Sequence, residues 1–203
     1  TGQAVLPGTA GSRDTVVVID RSGSMSYRDY EPSRLEGAKQ AAGEYVNERI
    51  KNCNLDRIAV VSFGNTAKIE LGLTEINDRK TIAEAINNIE IKGGTDIAKG
   101  IKAATAIFQK HQNCPNQRNV ILLTDGCGGY PIRKSTYLKQ QLNCIIDAVG
   151  IGGSREEVNE ELLRKVATTD ADSFNHYRFI SDSSSLKQHY SNLAKSICWR
   201  PEK

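Results

Sequence analysis

The chain has 203 residues, of which 38% are hydrophobic and 25% charged, and its formal net charge is +3. A chain of this length can bury one sizeable core, which fits a single globular domain. The small positive charge forms no basic run and so does not favour a nucleic acid partner. No apolar stretch approaches the roughly 20 residues that a membrane helix needs, so we expect no membrane insertion in this segment.

Strands and helices are predicted to alternate along the chain. Short apolar runs indicate strands, and apolar residues at helical spacing indicate amphipathic helices. The predicted strands cover residues 15–20, 56–64, 67–74, 118–126, 143–152 and 176–180. The predicted helices cover residues 33–52, 78–89, 97–112, 135–141, 155–168 and 183–198. Asp78 is a candidate N-cap of the second helix.

This alternation predicts an α/β fold with a doubly wound, mostly parallel central sheet and helices on both faces. Residues 57–73 read as a hairpin, which would add one antiparallel strand at the edge. In such sheets ligands bind outside the carboxyl ends of the strands, near the point where the strand order reverses. Functional side chains are therefore expected directly after the predicted strands.

Three separate segments place oxygen-bearing side chains at that edge. Asp20, Ser22 and Ser24 follow the first strand in "DRSGSMS", Thr95 lies in "KGGTD" before a helix, and Asp125 ends a later strand in "LLTDG". The alternate spacing of the first three lets a tight turn aim their side chains at one point. Each residue taken alone could be a turn residue or a helix cap, and Thr95 could cap the helix that begins near residue 97.

The chemistry of these five side chains favours a hard divalent cation. They are carboxylates and hydroxyls without histidine or thiolate, a set that suits Mg²⁺, or Mn²⁺ or Ca²⁺, rather than zinc or copper. Two carboxylates and three neutral hydroxyls leave such an ion with net positive charge and room for another ligand. An incoming carboxylate would be attracted to it.

The three segments, in this order along an α/β chain, resemble the von Willebrand factor A domain with its metal-ion-dependent adhesion site. The resemblance extends over residues 14–198, with residues 1–13 as a disordered leader or linker and 199–203 as a tail. It implies a Rossmann-like sheet with one antiparallel edge strand. It also implies that Ser22, Ser24 and Thr95 touch the ion directly, while Asp20 and Asp125 hold it partly through water.

The function that this resemblance implies is a non-enzymatic protein-interaction module. It would bind an Asp or Glu of a protein partner through the cation, as a monomeric domain of a larger protein. The alternative is a metal-dependent phosphohydrolase of the haloacid dehalogenase type with Asp20 as the nucleophile. Ser22 stands where those enzymes need a second carboxylate, and a serine cannot carry that proton transfer near neutral pH.

The cysteines and histidines are not expected to hold the metal. The five cysteines contain no C-x-x-C pair, and their odd number favours reduced thiols and a cytoplasmic location, although a bridge between Cys53 and Cys114 stays open. Cys127 lies beside the predicted site but has no activating base nearby in the sequence. The histidines at positions 111, 176 and 189 are expected at the surface. The polar loop of residues 25–33 is a candidate partner surface or a solvated loop.

Overall fold

The computed structural model describes residues 12–29, 31–52, 55–126 and 128–196. The strands of this part of the chain are β1 (Arg13–Asp20), β2 (Arg57–Phe63), β3 (Ala67–Glu75), β4 (Gln117–Thr124), β5 (Cys144–Ile151) and β6 (Tyr177–Ile180). Its α-helices are α1 (Arg34–Asn52), α2 (Arg79–Asn87), α3 (Ile97–Lys110), α4 (Ile132–Gln141), α5 (Glu160–Val166) and α6 (Ser183–Ser196).

The strands form one sheet in the order β3-β2-β1-β4-β5-β6. All neighbours run parallel except β2 and β3, which pair antiparallel at one edge. Strand order reverses at β1, whose two neighbours are β2 and β4. The predicted doubly wound sheet with an antiparallel edge strand is confirmed, and β1 lies at the position where such folds bind ligands.

Two hydrophobic layers cover the sheet, one on each face. Val17 and Ile19 of β1 point into a layer formed with α1, α2 and α6. Val16 and Val18 point the other way, into a layer formed with α3, α4 and α5. Burial of one such branched side chain contributes about 1.5–3 kcal/mol, and all eight residues of β1 are buried. The strand that carries Asp20 is therefore held rigidly from both sides.

Most predicted helix boundaries agree with the structure. Asp78 caps α2, as predicted, by accepting a hydrogen bond of 3.2 Å from the backbone N–H of Thr81. The helix predicted over residues 155–168 is wrong at its start. Residues 155–157 form one 3₁₀ turn, and Val158 is extended and packs into the core layer on the α3, α4 and α5 side. Helix α5 begins only after Asn159, whose side chain accepts a hydrogen bond of 3.1 Å from Leu162 N.

Several predictions fall on residues outside the described part of the chain. They are the leader up to residue 11, the C-terminal end from residue 197, and three of the five cysteines, Cys53, Cys127 and Cys198. β1 begins at Arg13, one residue before the predicted start of the domain. Cys114 and Cys144 are free thiols. In the described ranges no helix combines the length and the apolar character required to cross a membrane.

Candidate functional site

Asp20 ends β1 with its carboxylate completely buried. Its Oδ1 accepts a hydrogen bond of 2.8 Å from the backbone N–H of Ser22, and its Oδ2 accepts one of 2.6 Å from the hydroxyl of Thr124 at the end of β4. Both oxygens are thus held by elements that follow or adjoin β1. The orientation of Asp20 is set by the neighbouring strand as well as by its own turn.

The segment after Asp20 forms a 3₁₀ turn over Gly23–Ser26. Met25 is fully buried in this turn and anchors it to the core layer beneath α1. The hydroxyls of Ser22 and Ser24 lie 3.2 Å apart. The alternate spacing seen in the sequence therefore brings these two hydroxyls to the same point, as predicted.

Asp125 follows β4 directly, and β4 is the parallel neighbour of β1. Its side chain is almost completely buried, and its Oδ2 accepts a hydrogen bond from the hydroxyl of Ser24. Its Oδ1 is buried and has no hydrogen-bond partner among the described residues. A buried carboxylate oxygen without a partner carries a substantial desolvation cost, which a bound cation would offset.

Thr95 lies on a loop that is tied to the Asp20 segment by its backbone. Gly23 N donates to Gly93 O at 3.1 Å, and Lys92 N donates to Arg21 O at 2.7 Å. Thr95 itself is half-buried, and no hydrogen bond in the described residues joins its side chain to the other four predicted ligands. The structure brings the Thr95 loop to the site without a direct contact of the Thr95 hydroxyl.

The chain after β4 packs closely against the Thr95 loop. Gly128 has φ +138°, and a Cβ placed there would lie 2.2 Å from the carbonyl oxygen of Thr95. Only glycine allows this approach of two backbones. The three predicted segments therefore converge at the carboxyl edge of β1 and β4.

The possible role of Thr95 as a helix cap is wrong. The N-cap of α3 is Asp96, whose Oδ1 accepts a hydrogen bond of 3.0 Å from the backbone N–H of Ala98. Asp96 N in turn donates to Gly64 O at the end of β2 at 3.0 Å. The capping requirement of α3 is met by the next residue, which leaves the Thr95 hydroxyl available for another role.

Electrostatics at the site favours a positive charge. Burial raises the pKa of Asp20 to about 6, and the nearby carboxylate of Asp125 adds to this rise, while hydrogen bonds from Thr124 and Ser22 oppose it. Two carboxylates in a buried site repel each other unless a cation lies between them. Among the described residues no group of three or more histidine, cysteine, aspartate or glutamate side chains is placed to hold a metal, and this edge itself contributes two carboxylates.

Arg34 is a residue of this edge that sequence reasoning missed. Its guanidinium is almost fully buried, pairs with Asp29 and with Glu157, and lies 3.8 Å from Oδ2 of Asp125. The hydrogen bond from Arg34 lowers the pKa of Asp29. The loop that was expected to be a partner surface or a solvated loop is therefore attached to the site through Asp29, while Tyr27 in the same loop is largely exposed.

The arrangement of these segments agrees with the comparisons with known proteins. The family model of the von Willebrand factor type A domain matches residues 15–127, which include all five predicted ligands. The chain belongs to the von Willebrand factor type A (VWA) domain family. VWA domains are protein-interaction modules of larger proteins, and many of them bind a divalent metal.

Individual relatives share the domain rather than the whole protein. The chain is 32% identical over 152 residues to calcium-activated chloride channel regulator 1 of Bos taurus, covering 74% of this chain and 16% of that protein. It is 23% identical over 190 residues to the collagen alpha-4(VI) chain of Mus musculus, covering 91% of this chain and 7% of that protein. The chain thus spans less than a fifth of the length of either relative.

A solved structure supports the fold independently of close sequence similarity. The VWA domain of the type V pili tip protein Mfa5 from Porphyromonas gingivalis superimposes with a TM-score of 0.79 at 15% identity, covering 97% of this chain and 99% of that chain. At this identity the likeness shows the shared architecture alone. The fold implied by the sequence resemblance is therefore confirmed from two independent directions.

The histidines differ from the surface positions predicted for them. His176, directly before β6, and His189, in α6, are each partly buried. The His176 ring lies between two carboxylates, with Nδ1 2.8 Å from Asp147 and Nε2 3.0 Å from Asp170. The hydrogen bonds of the His176 ring go to Asp147 and Asp170, neither of which is a predicted metal ligand.

Proposed function

We propose that this VWA domain is a metal-dependent protein-interaction module with a metal-ion-dependent adhesion site. In this proposal Asp20, Ser22, Ser24, Thr95 and Asp125 hold one divalent cation, with Mg²⁺ favoured and Mn²⁺ or Ca²⁺ as alternatives. The cation supplies positive charge for an Asp or Glu side chain of a protein partner. The domain itself is a monomeric part of a larger protein.

The observation that carries this proposal is the unpartnered oxygen of Asp125. Asp125 and Asp20 come from adjacent parallel strands, both are buried, and Oδ1 of Asp125 has no partner in the described chain. The hydroxyls of Ser22 and Ser24 lie beside them. Mg²⁺ binds hard oxygen ligands in proteins. The Oδ1 atom of Asp125, which accepts no hydrogen bond in the described chain, and the neighbouring serine hydroxyls are ligands of this kind.

The balance of charge supports a role for an outside carboxylate. Two aspartates neutralise a divalent cation only if both are fully ionised, and the three remaining donors are neutral. The guanidinium of Arg34 lies 3.8 Å from Oδ2 of Asp125 and therefore neutralises part of the charge that this carboxylate offers to the cation. A cation held here keeps an attraction for a further anionic ligand, and that attraction is stronger at a partly desolvated site than between exposed groups.

The phosphohydrolase alternative finds no support in the geometry of Asp20. A nucleophilic carboxylate needs an oxygen that can approach the phosphorus atom, whereas both oxygens of Asp20 accept hydrogen bonds inside the fold. Ser22 occupies the position of the second carboxylate and is itself buried. We therefore propose a binding function without catalysis.

The direct test is calorimetric titration of the EDTA-treated and dialysed protein with Mg²⁺, Mn²⁺ and Ca²⁺. We expect one site in the wild type and no binding in Asp20→Ala. Asp172→Ala is the matched control, because Asp172 is exposed and distant in sequence from the five ligands. Circular dichroism on each variant shows whether the fold is kept. Unchanged metal affinity in Asp20→Ala would place the cation elsewhere and contradict the proposal.

A further inference from the structure

A large groove lies on the face of the sheet covered by α6, away from the Asp20 edge. This groove of about 950 Å³ runs between α6 and strands β4, β5 and β6. Its volume lies in the range of about 300–1,000 Å³ that is typical of small-molecule sites. Asn119, Ile145 and Asp147 form its floor, and residues of β6 and α6 form its walls.

Asn119 on this floor is buried and has no hydrogen-bond partner. Its side chain is 1% exposed, and neither the amide nitrogen nor the amide oxygen has a partner among the described residues. Its neighbours in the sheet register explain this. Thr15 on one side already shares a hydrogen bond of 3.0 Å with Tyr45, and Ile145 on the other side is apolar.

A second unpartnered group lies on the helix that covers this face. The hydroxyl of Tyr190 in α6 is buried and has no partner in the described chain. Its ring packs edge-to-face on Tyr45 with centroids 6.5 Å apart, and Tyr45 contacts Thr15, the register partner of Asn119. Each buried polar group left without a partner costs about 1–3 kcal/mol, which a hydrogen-bonding ligand would offset.

The charges that line the groove nearly cancel. His176, whose pKa is raised to about 9 by its hydrogen bond to Asp147 and is further supported by Asp170, is a cation near neutral pH. Asp147 is its counter-ion. Burial and the nearby Arg178 lower the pKa of His189 to about 4, so that ring is neutral. The remaining charged groups of the lining are Arg178 and Asp182, one of each sign.

We propose that this groove binds a small neutral molecule with a planar amide-type head group and an apolar body. A carboxamide such as that of Asn119 offers a donor and an acceptor side by side, and a primary amide or lactam presents the complementary pair. The near-zero charge of the lining gives no compensation for desolvating an anion or a cation. Ile145, Ile180 and Leu193 supply apolar contact for the body of the ligand.

The test uses benzamide as the probe, with benzoate as its charged counterpart, and is carried out in EDTA. Working without divalent cations separates this proposal from the metal site, because each can fail alone. Two-dimensional ¹H–¹⁵N NMR titration of the full 203-residue chain should show saturable shifts at Ile145, Asp147 and Ile180 with benzamide. Benzoate should bind at least about tenfold more weakly, which corresponds to 1.4 kcal/mol.

Two substitutions of Asn119 separate hydrogen bonding from shape. Asn119→Ala opens the groove and Asn119→Leu fills it, and both remove the amide, so both should raise the benzamide Kd at least about tenfold. Asn113→Ala, at an exposed turn position, should bind like the wild type. Equal binding by wild type and Asn119→Ala, equal binding of benzoate, or the absence of saturable shifts in the groove would each overturn the proposal.

Discussion

The hydroxyl of Thr124 donates a hydrogen bond of 2.6 Å to Oδ2 of Asp20, across 104 positions of sequence. The same hydroxyl oxygen accepts a hydrogen bond of 3.0 Å from Gly126 N in the turn after β4. Thr124 thus joins the end of β1 to the turn that carries Asp125. It is not one of the predicted ligands, yet it orients one of them.

Replacement of Thr124 by valine should weaken metal binding without unfolding the domain. Valine keeps the shape and removes the donor, and a hydrogen bond to a charged group is worth about 1.5–3 kcal/mol. We expect the Mg²⁺ Kd to rise about tenfold or more by calorimetry. Thr124→Ser, which keeps the hydroxyl, should restore most of the affinity. Wild-type affinity in Thr124→Val would show that Asp20 needs no such orientation.

Replacement of Arg34 by methionine should destabilise the fold. The guanidinium is buried and holds Asp29 and Glu157, so its removal leaves two carboxylates without their cation. Because both carboxylates are partly exposed, we expect a loss of about 2 kcal/mol rather than the 3–5 of a fully buried pair. Urea denaturation measures this loss. Lys165→Met breaks an exposed pair with Glu161 and should change the unfolding free energy by less than about 0.5 kcal/mol.

Replacement of Thr95 by alanine should weaken partner binding more than metal binding. Thr95 has no hydrogen bond to the other predicted ligands in the described chain, but its loop packs on Gly128 and on the turn of Gly23. A change in this loop would alter how far the cation is open to an outside carboxylate. The measurement is a pull-down from native extract with Mg²⁺, with EDTA and with Thr95→Ala, beside calorimetry of Mg²⁺ binding.

Retention of a partner to the same extent in all three pull-downs would show that it binds another face. A partner that is captured with Mg²⁺ and lost in EDTA should instead lose binding when its own contacting Asp or Glu is replaced by Asn or Gln. Thr105→Ala is a suitable control, because the Thr105 hydroxyl donates a hydrogen bond of 2.8 Å to Ile101 O within α3 itself. It should leave both metal affinity and partner capture unchanged.

His176 should make the protein less stable as the pH rises from about 6.5 to about 9. Its pKa is raised in the folded state, chiefly by the hydrogen bond to Asp147, so the folded protein holds a proton that the unfolded chain releases over this range. The stabilisation is complete below pH 6.5 and is lost as the pH passes about 9. Unfolding free energies measured between pH 6 and 9.5 should show this decline, and His176→Gln should flatten it.

His189 should lower the free energy of unfolding as the pH falls, which is the opposite pH dependence to that of His176. Burial lowers the pKa of His189 to about 4. Between about pH 6.5 and 4 this imidazole is therefore protonated in the unfolded chain and neutral in the folded protein. The contribution of His189 to stability should therefore fall as the pH drops through this range, while Asp20, whose pKa is raised to about 6, contributes in the opposite sense. His189→Phe removes the first contribution, since a phenyl ring takes no proton, so its stability relative to wild type should rise as the pH drops from about 6.5 to 4. An identical slope in His189→Phe and wild type would assign the acid sensitivity to carboxylates.

Local patterns were sufficient to predict most of the elements. The apolar runs of β1 and β4 predict strands buried on both faces, and they are buried on both faces because helices cover the sheet from each side. Asp78 was predicted as a cap from its position before an apolar helix. The start of α5 was predicted wrongly, because Val158 packs into the core in an extended conformation that helical periodicity does not reveal.

The five candidate ligands are readable from the sequence, because each follows a strand or precedes a helix and carries the oxygen donors that a hard cation prefers. Which side chains are held by others, and which have no partner among the described residues, depends on how the strands and helices pack. Thr124 reaches Asp20 and Arg34 approaches Asp125 because β1, β4 and α1 meet at one edge. The Asn119 side chain has no partner in the part of the chain that the structure describes, because Thr15, its neighbour in the register, bonds to Tyr45 of α1. Such relationships depend on contacts between segments far apart in the chain, which no local pattern encodes.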